Sequence, residues 1–136
     1  MKFFHKGKDG GPESTVTGYW LIEWKGGFSI ALLKFDNGSR EAYHDHAFNA
    51  ISWLLSGELH ENVKLWWEDY TTYVYTPSWR PIITTRDNMH KVSSKGRSWA
   101  LTFRGPWKDT WNEYFREEDR HRTLASGRVE VDTKGV

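Results

Sequence analysis

The chain has no cysteine. Disulfides, thiolate nucleophiles and thiolate metal ligands are therefore excluded. Proline is scarce, at four in 136 residues. No low-complexity linker divides the chain, and its length suits one ordinary domain. Neither sign of charge dominates: 19 Lys and Arg face 18 Asp and Glu, for a formal net charge of +1. That balance gives no strong field for nucleic acid or an anionic membrane surface. No apolar run approaches the roughly 18 residues that a membrane-spanning helix needs. The first residues lack the apolar stretch of a signal peptide. The expectation is a cytoplasmic protein with no nucleic-acid or membrane partner.

What the chain has in excess is aromatic side chains: nine Trp, six Tyr and seven Phe. Such rings favour strands and pack broad sheet faces. Short strand-like runs follow one another from Val16–Trp24 through Phe28–Phe35, Arg40–His46, Ala50–Ser56, Leu59–Trp67, Thr71–Tyr75, Pro81–Thr85, His90–Val92 and Ser98–Phe103. Turn residues separate them at short intervals. Lys25-Gly-Gly27 reads as a turn and Asp36-Asn-Gly38 as a hairpin or tight-turn signal. This spacing predicts an all-β sandwich or closed barrel. Residues 1–15 read as a flexible N-terminal segment, 16–116 as the barrel, and 117–136 as a polar tail. The stretch 108–122 reads as a last strand followed by a short helix or turn, and Arg128–Val131 as a candidate final strand.

His44 and His46 stand two residues apart. On a strand, residues i and i+2 share a face, so two imidazoles there can grip one ion. His90 opens another strand-like run. Three neutral imidazoles would make a divalent transition-metal site with open positions. The alternative is that these histidines are polar groups of a barrel without metal.

The frame around them resembles a known family. Gly38, five residues, His44-Asp-His46, three residues, Ala50, six residues, Gly57 is similar to the first motif of the cupin superfamily. Ala50 stands where a cupin usually has a glutamate ligand. Of the second motif only His90 matches well, with Thr85, Asp87 and Ser94 at its Pro, Gly and Asn places. The blocks His44–Ser52, Gly57–Glu61, His90–Val92 and Ser98–Pro106 also resemble, in order, those of small cupin-like proteins of phages and proteobacteria. That likeness covers roughly residues 40–112 and departs at Ala47, where the group commonly has Pro.

The resemblance implies a single-domain double-stranded β-helix, the jelly-roll barrel. It implies one divalent metal held by His44, His46 and His90, a set similar to that of the three-histidine thiol dioxygenases. An iron-dependent dioxygenase acting on a small molecule is the reading it favours; nickel, manganese, cobalt and zinc also accept imidazole. Two other readings stay open. One is a binding protein that sequesters a nucleotide or sugar. The other is a metal-independent epimerase or isomerase, with Tyr43 or Tyr73 beside a histidine.

Other residues are placed by parity. Arg40 and Ser52 share the parity of His44 and are candidates to touch substrate. On the strand from Ser98, two faces compete: Trp99, Leu101 and Phe103 against Ala100, Thr102 and Arg104. Trp99 and Arg104 are the substrate-binding candidates there, Arg104 for an anionic group. For Arg40 and Arg104 a surface salt bridge is the simpler expectation. Asp45 should point away from the metal and tie the strand to a loop. Glu61 is a candidate to support the ligands from behind. One of Trp66 and Trp67 faces out, and edge strands need cover, so a homodimer is expected.

Overall fold

The computed structural model describes residues 1–9, 14–38, 43–64, 70–86, 89–108, 110–115, 120–125 and 129–134. Side chains at 43–44, 64, 70, 112, 114–115, 120–122, 125 and 129–134 lie outside that description. All regular structure among the described residues is β-strand, so no helix there is long and apolar enough to cross a membrane.

Thirteen strands run β1 Lys2–Lys8, β2 Val16–Glu23, β3 Ser29–Phe35, β4 Tyr43–His44, β5 Ala50–Ser56, β6 Leu59–Lys64, β7 Tyr70–Tyr75, β8 Ile82–Thr84, β9 His90–Ser94, β10 Ser98–Arg104, β11 Thr110–Phe115, β12 Arg120–Ala125 and β13 Val129–Lys134. They form two antiparallel sheets. One has the order β1-β2-β3-β10-β5-β8, the other β13-β12-β11-β4-β9-β6-β7. After β3 the chain crosses between sheets repeatedly, so that β4, β6, β7 and β9 lie opposite β5, β8 and β10.

The alternation of the sequence explains the faces. On β10, Ser98, Ala100, Thr102 and Arg104 are buried while Phe103 is exposed. On β3, Ser29, Ala31 and Leu33 are buried, and Ile30, Leu32 and Lys34 lie between them. The inner faces pack three apolar clusters. Trp20, Ala31 and Leu33 form one, Leu54, Leu59 and Ala100 a second, and Ala47, Phe48, Trp111 and Leu124 a third. Gly57 closes the β5–β6 turn at φ +91°, and a Cβ there would fall on Ser98. Only glycine fits such a turn without strain.

Several expectations need correction. Residues 2–8 are not a loose leader but pair with β2 from Lys2↔Glu23 to Lys8↔Thr17. The region after 116 is not a polar tail: β12 and β13 pair as a hairpin at the edge of the second sheet. The short helix or turn expected after β11 falls on residues 116–119, outside the described residues, and β12 begins at Arg120. The polar alternation of both ends reads as disorder only if the mate strand is invisible. Asp36-Asn-Gly38 does not close a hairpin; β3 and β4 lie in different sheets. Instead Gly38 exchanges two backbone hydrogen bonds with Ser94, and Asn37 Oδ1 accepts from the Gly96 amide at 2.8 Å. Of the strand expected over 40–46, Tyr43–His44 is strand and 45–46 lie past its end, while 40–42 lie outside the described residues. Arg40, Trp66, Trp67 and Asp87 lie outside the described residues.

Candidate functional site

Between the sheets lies a cavity of about 440 Å³. Its walls include His46, Glu61, Tyr75, His90, Thr102 and Arg104, with Trp20, Phe48, Trp107 and Trp111 as the larger rings.

The second sheet builds one end. Strands β6 and β9 pair from Leu59↔Ser94 to Val63↔His90, with Glu61 opposite Val92. This offset places the Glu61 carboxylate against the His90 ring, and Oε2 accepts a hydrogen bond from His90 Nδ1–H. Both side chains are under a tenth exposed. Tyr75, from the neighbouring β7, donates its hydroxyl to the other Glu61 oxygen at 2.8 Å. Burial, with the Glu61 carboxylate beside it, pushes the Tyr75 hydroxyl above the ordinary tyrosine range. It stays a proton donor at any physiological pH. With Nδ1 of His90 carrying the proton, its Nε2 carries the lone pair. That nitrogen lies 3.1 Å from Nε2 of His46, and the two rings stand nearly perpendicular, at 83°.

The first sheet builds the other end. Arg104 is buried on β10, and its guanidinium forms a two-pronged pair with Asp9, at 3.1 Å and 2.6 Å. The guanidinium carbon sits 4.5 Å from the Phe48 ring centre. Phe48 in turn packs 5.6 Å from the His46 ring, so one phenyl ring links the two ends. Trp20 Nε1, Trp107 Nε1 and Arg104 Nε are buried donors that find no acceptor among the described residues.

The structure sorts the expected residues. His46 and His90 come together. His44 stands directly across the ladder from His90, but its side chain lies outside the described residues. Glu61 stands behind His90, where a supporting carboxylate belongs. Ser52 lines the cavity and donates to Thr102 Oγ1 at 2.9 Å. Asp45 does not point away: it is buried and lines the cavity beside His46. The chain leaves the strand after His44, so two-residue alternation no longer governs these neighbours. Arg104 forms a buried pair rather than a surface salt bridge. Trp99 is corrected outright: it lies on the face of β10 opposite Arg104 and rests against Tyr19, with ring centres 5.8 Å apart. Tyr73 is half exposed. Sequence reasoning missed Tyr75 and Asp9. Tyr75 shares the β7 parity of Tyr73, a signal that becomes usable only once Glu61 is known to face inward. Asp9 stood in a segment read as loose, so no signal pointed to it.

A divalent ion fits these donors as far as they go. Two imidazole nitrogens that ligate one ion at about 2.0–2.1 Å each lie roughly 3 Å apart when adjacent, and the carboxylate–histidine arrangement behind His90 is the usual support of such a ligand. Among the described residues no third His, Cys, Asp or Glu joins them in a metal-holding group.

No family model matches the sequence, and no curated protein matches it either. Solved structures do. A sugar phosphate isomerase of the cupin superfamily from Silicibacter pomeroyi superposes at a TM-score of 0.64 with 11% identity, covering 97% of this chain and 88% of that one. KdgF from a Halomonas species superposes at 0.56 with 16% identity, covering 80% and 96%. Fe(II)-HppE superposes at 0.52 with 14% identity, covering 65% and 48%. These neighbours thus include an isomerase and an iron(II) protein on one scaffold. At such identities what is shared is the backbone, and that backbone, two antiparallel sheets around a cavity, is the cupin jelly-roll fold.

Proposed function

We propose that this chain holds one divalent transition metal in its barrel through His44, His46 and His90, and that it is an enzyme acting on a small molecule in the cavity beside them. The observation that carries this is the 3.1 Å separation of the His46 and His90 Nε2 atoms, with Glu61 bound to Nδ1 of His90. When bound, such an ion supplies Lewis acidity and open positions for an anionic or chelating substrate. The chain's own part is to keep the lone pair of His90 on Nε2, through Glu61, and to hold Glu61 still, through Tyr75. The rings of Phe48, Trp107 and Trp111 give the cavity an apolar wall. An oxygen-bearing ligand would bring acceptors to the N–H donors of Trp20, Trp107 and Arg104, which line the cavity. Iron and a dioxygenase reaction are the finer reading we favour, supported by the three-histidine resemblance.

Elemental analysis of the purified protein tests the core of this reading. One ion per chain is expected, lost in His46→Ala and His90→Ala. Wild-type protein that takes up none of iron, nickel, manganese, cobalt or zinc would overturn it. Oxygen uptake on thiols and keto acids then tests the dioxygenase.

One observation favours a second reading. With Glu61 ionised, Tyr75 O–H and His90 Nδ1–H point at the carboxylate, and a proton on His46 Nε2 would point at His90 Nε2. This chain of donors needs no ion to form and ends on an imidazole that lines the cavity. A metal-independent isomerase would use His46 as its proton carrier. Activity that survives chelation but dies in His46→Ala selects it. A nucleotide or sugar that co-purifies, without turnover, selects the binding protein.

The expected second copy of this chain is proposed on the outer face of the first sheet. In register, Tyr19, Leu32, Leu101 and Trp53 form one apolar row there, and Ile30, Phe103, Ile51 and Ile83 form another. An antiparallel sheet facing water is polar on that side. Four strands span about 20 Å, and Trp79, 95% exposed at its margin, adds roughly 200 Å² toward the ~800 Å² per partner of a stable interface. Light scattering that gives a monomer would refute it.

A further inference from the structure

The second sheet carries a buried carboxylate that neither motif nor mechanism has used. Glu113 lies on β11 and is 1% exposed, among the most buried residues of the described chain. Trp111, two residues earlier on the same strand, lines the cavity, so Glu113 belongs to the inner face. Its register is specific. Glu113 stands directly opposite His44 across the β11–β4 ladder, and His44 stands directly opposite His90 across the β4–β9 ladder. Three strands thus set Glu113, His44 and His90 in one row, and directly opposed residues share a face of the sheet.

A carboxylate this deep needs a hydrogen-bonding or cationic mate, because burial without one costs several kcal/mol. Two residues flank it in register, His44 on one side and Arg122 on the other. Among the described residues Glu113 joins no metal-holding group with His46 and His90, and the imidazole that stands opposite it in register is that of His44. The precedent lies in the same sheet: Glu61 already holds Nδ1 of His90.

We infer that Glu113 is the positioning residue for His44, accepting a hydrogen bond from its imidazole so that the remaining ring nitrogen offers its lone pair to the site. The barrel would then back two of its three imidazoles with a buried carboxylate, one from β6 and one from β11. Neither comes from the position of Ala50, where a cupin usually has its glutamate. This rests on the metal-site reading for its purpose, but not for its test.

The test begins on metal-free protein. Nitrogen-15 correlation spectra of the histidine rings, with His44 assigned through His44→Gln, report which ring nitrogen carries the proton. In wild type, His44 is expected in a single tautomer with a slowly exchanging ring N–H. In Glu113→Gln it should lose that preference while the other ring signals stay in place. Arg122→Met should leave His44 unmoved. A wild-type His44 that averages between tautomers overturns the inference, and this measurement needs no folded Glu113 variant. So does an Arg122→Met spectrum that matches that of Glu113→Gln, since the carboxylate then serves Arg122. Titration with Co²⁺ forms the second arm. Loss of an orienting partner typically weakens a metal site 10–100-fold, so Glu113→Gln should do so, and should have no further effect in a His44→Ala background. Unchanged Co²⁺ affinity in Glu113→Gln overturns the inference. Should wild type bind no metal while the His44 tautomer still depends on Glu113, the positioning holds and the metal-site reading alone falls.

Discussion

Strand β6 and the turn before it supply, within four residues, the carboxylates of two histidine–carboxylate pairs that meet opposite fates: Glu58 with His60, and Glu61 with His90 of β9. Glu58 and His60 lie 2.7 Å apart, and each is about one-third exposed. Glu61 pairs with His90, and each is under one-tenth exposed. His60 and Glu61 are consecutive, so the pleat sends them to opposite faces. On the outside, water competes for both partners, and such pairs contribute little. On the inside, the carboxylate has lost its water and needs every lone pair occupied. Tyr75 supplies the remaining donor, and His90 turns its other nitrogen toward His46. The same two residue types make a solvated ornament on one face and the hinge of a candidate site on the other. What separates them is the parity of one strand.

Breaking the inner pair should produce the largest effect. His90→Ala removes a proposed ligand and leaves Glu61 as a buried charge without its imidazole. Loss of one partner of a buried pair costs about 3–5 kcal/mol. Urea unfolding should show that drop, and elemental analysis should show no bound ion. Glu61→Gln is milder, since the amide still fills the space and can accept from His90. Metal affinity should fall 10–100-fold, with stoichiometry kept at one under saturating ion. Tyr75→Phe removes only the hydroxyl that steadies Glu61. A hydrogen bond to a charged group contributes roughly 1.5–3 kcal/mol, and the partial exposure of Tyr75 sets its loss at the lower end. A Tyr75→Phe protein as destabilised as His90→Ala would show that the hydroxyl, not the imidazole, anchors the carboxylate.

The contrast also explains how much could be read from the chain alone. The barrel was legible, because strand runs and turn residues alternate along most of it and Gly38, His44, His46 and Gly57 keep a known spacing. His46 and His90 were legible as a pair for the same reason. Glu61 was named as a supporting residue without a partner, since its bond to His90 depends on a register between β6 and β9 that no local pattern encodes. Trp99 and Arg104 were left undecided, because both faces of β10 carry large side chains. Only the sheet's two neighbours, β3 and β5, decide which is inner. Asp45 was misplaced by extending strand alternation one residue past the strand's end. Glu113 drew no attention at all. It lies outside both motifs, and its register opposite His44 spans 69 positions of sequence.

The outer pair offers the smallest effect and the cleanest control. The hydrogen bond to the His60 ring, helped by the nearby charges of His60 and Lys95 and opposed by burial, holds the Glu58 carboxyl below its ordinary value of 4.5. A carboxylate whose folded value is depressed contributes stability above its unfolded value, and that contribution fades as pH falls through the folded one. Glu58→Gln should therefore lower stability slightly and evenly from neutral pH down to about 4.5. Below that, the variant and wild-type curves should converge. Its metal affinity should equal that of wild type, because His60 turns away from the cavity that Glu61 enters. A Glu58→Gln variant that loses metal as Glu61→Gln does would mean that the two faces of β6 are coupled, and that parity alone does not divide ornament from site.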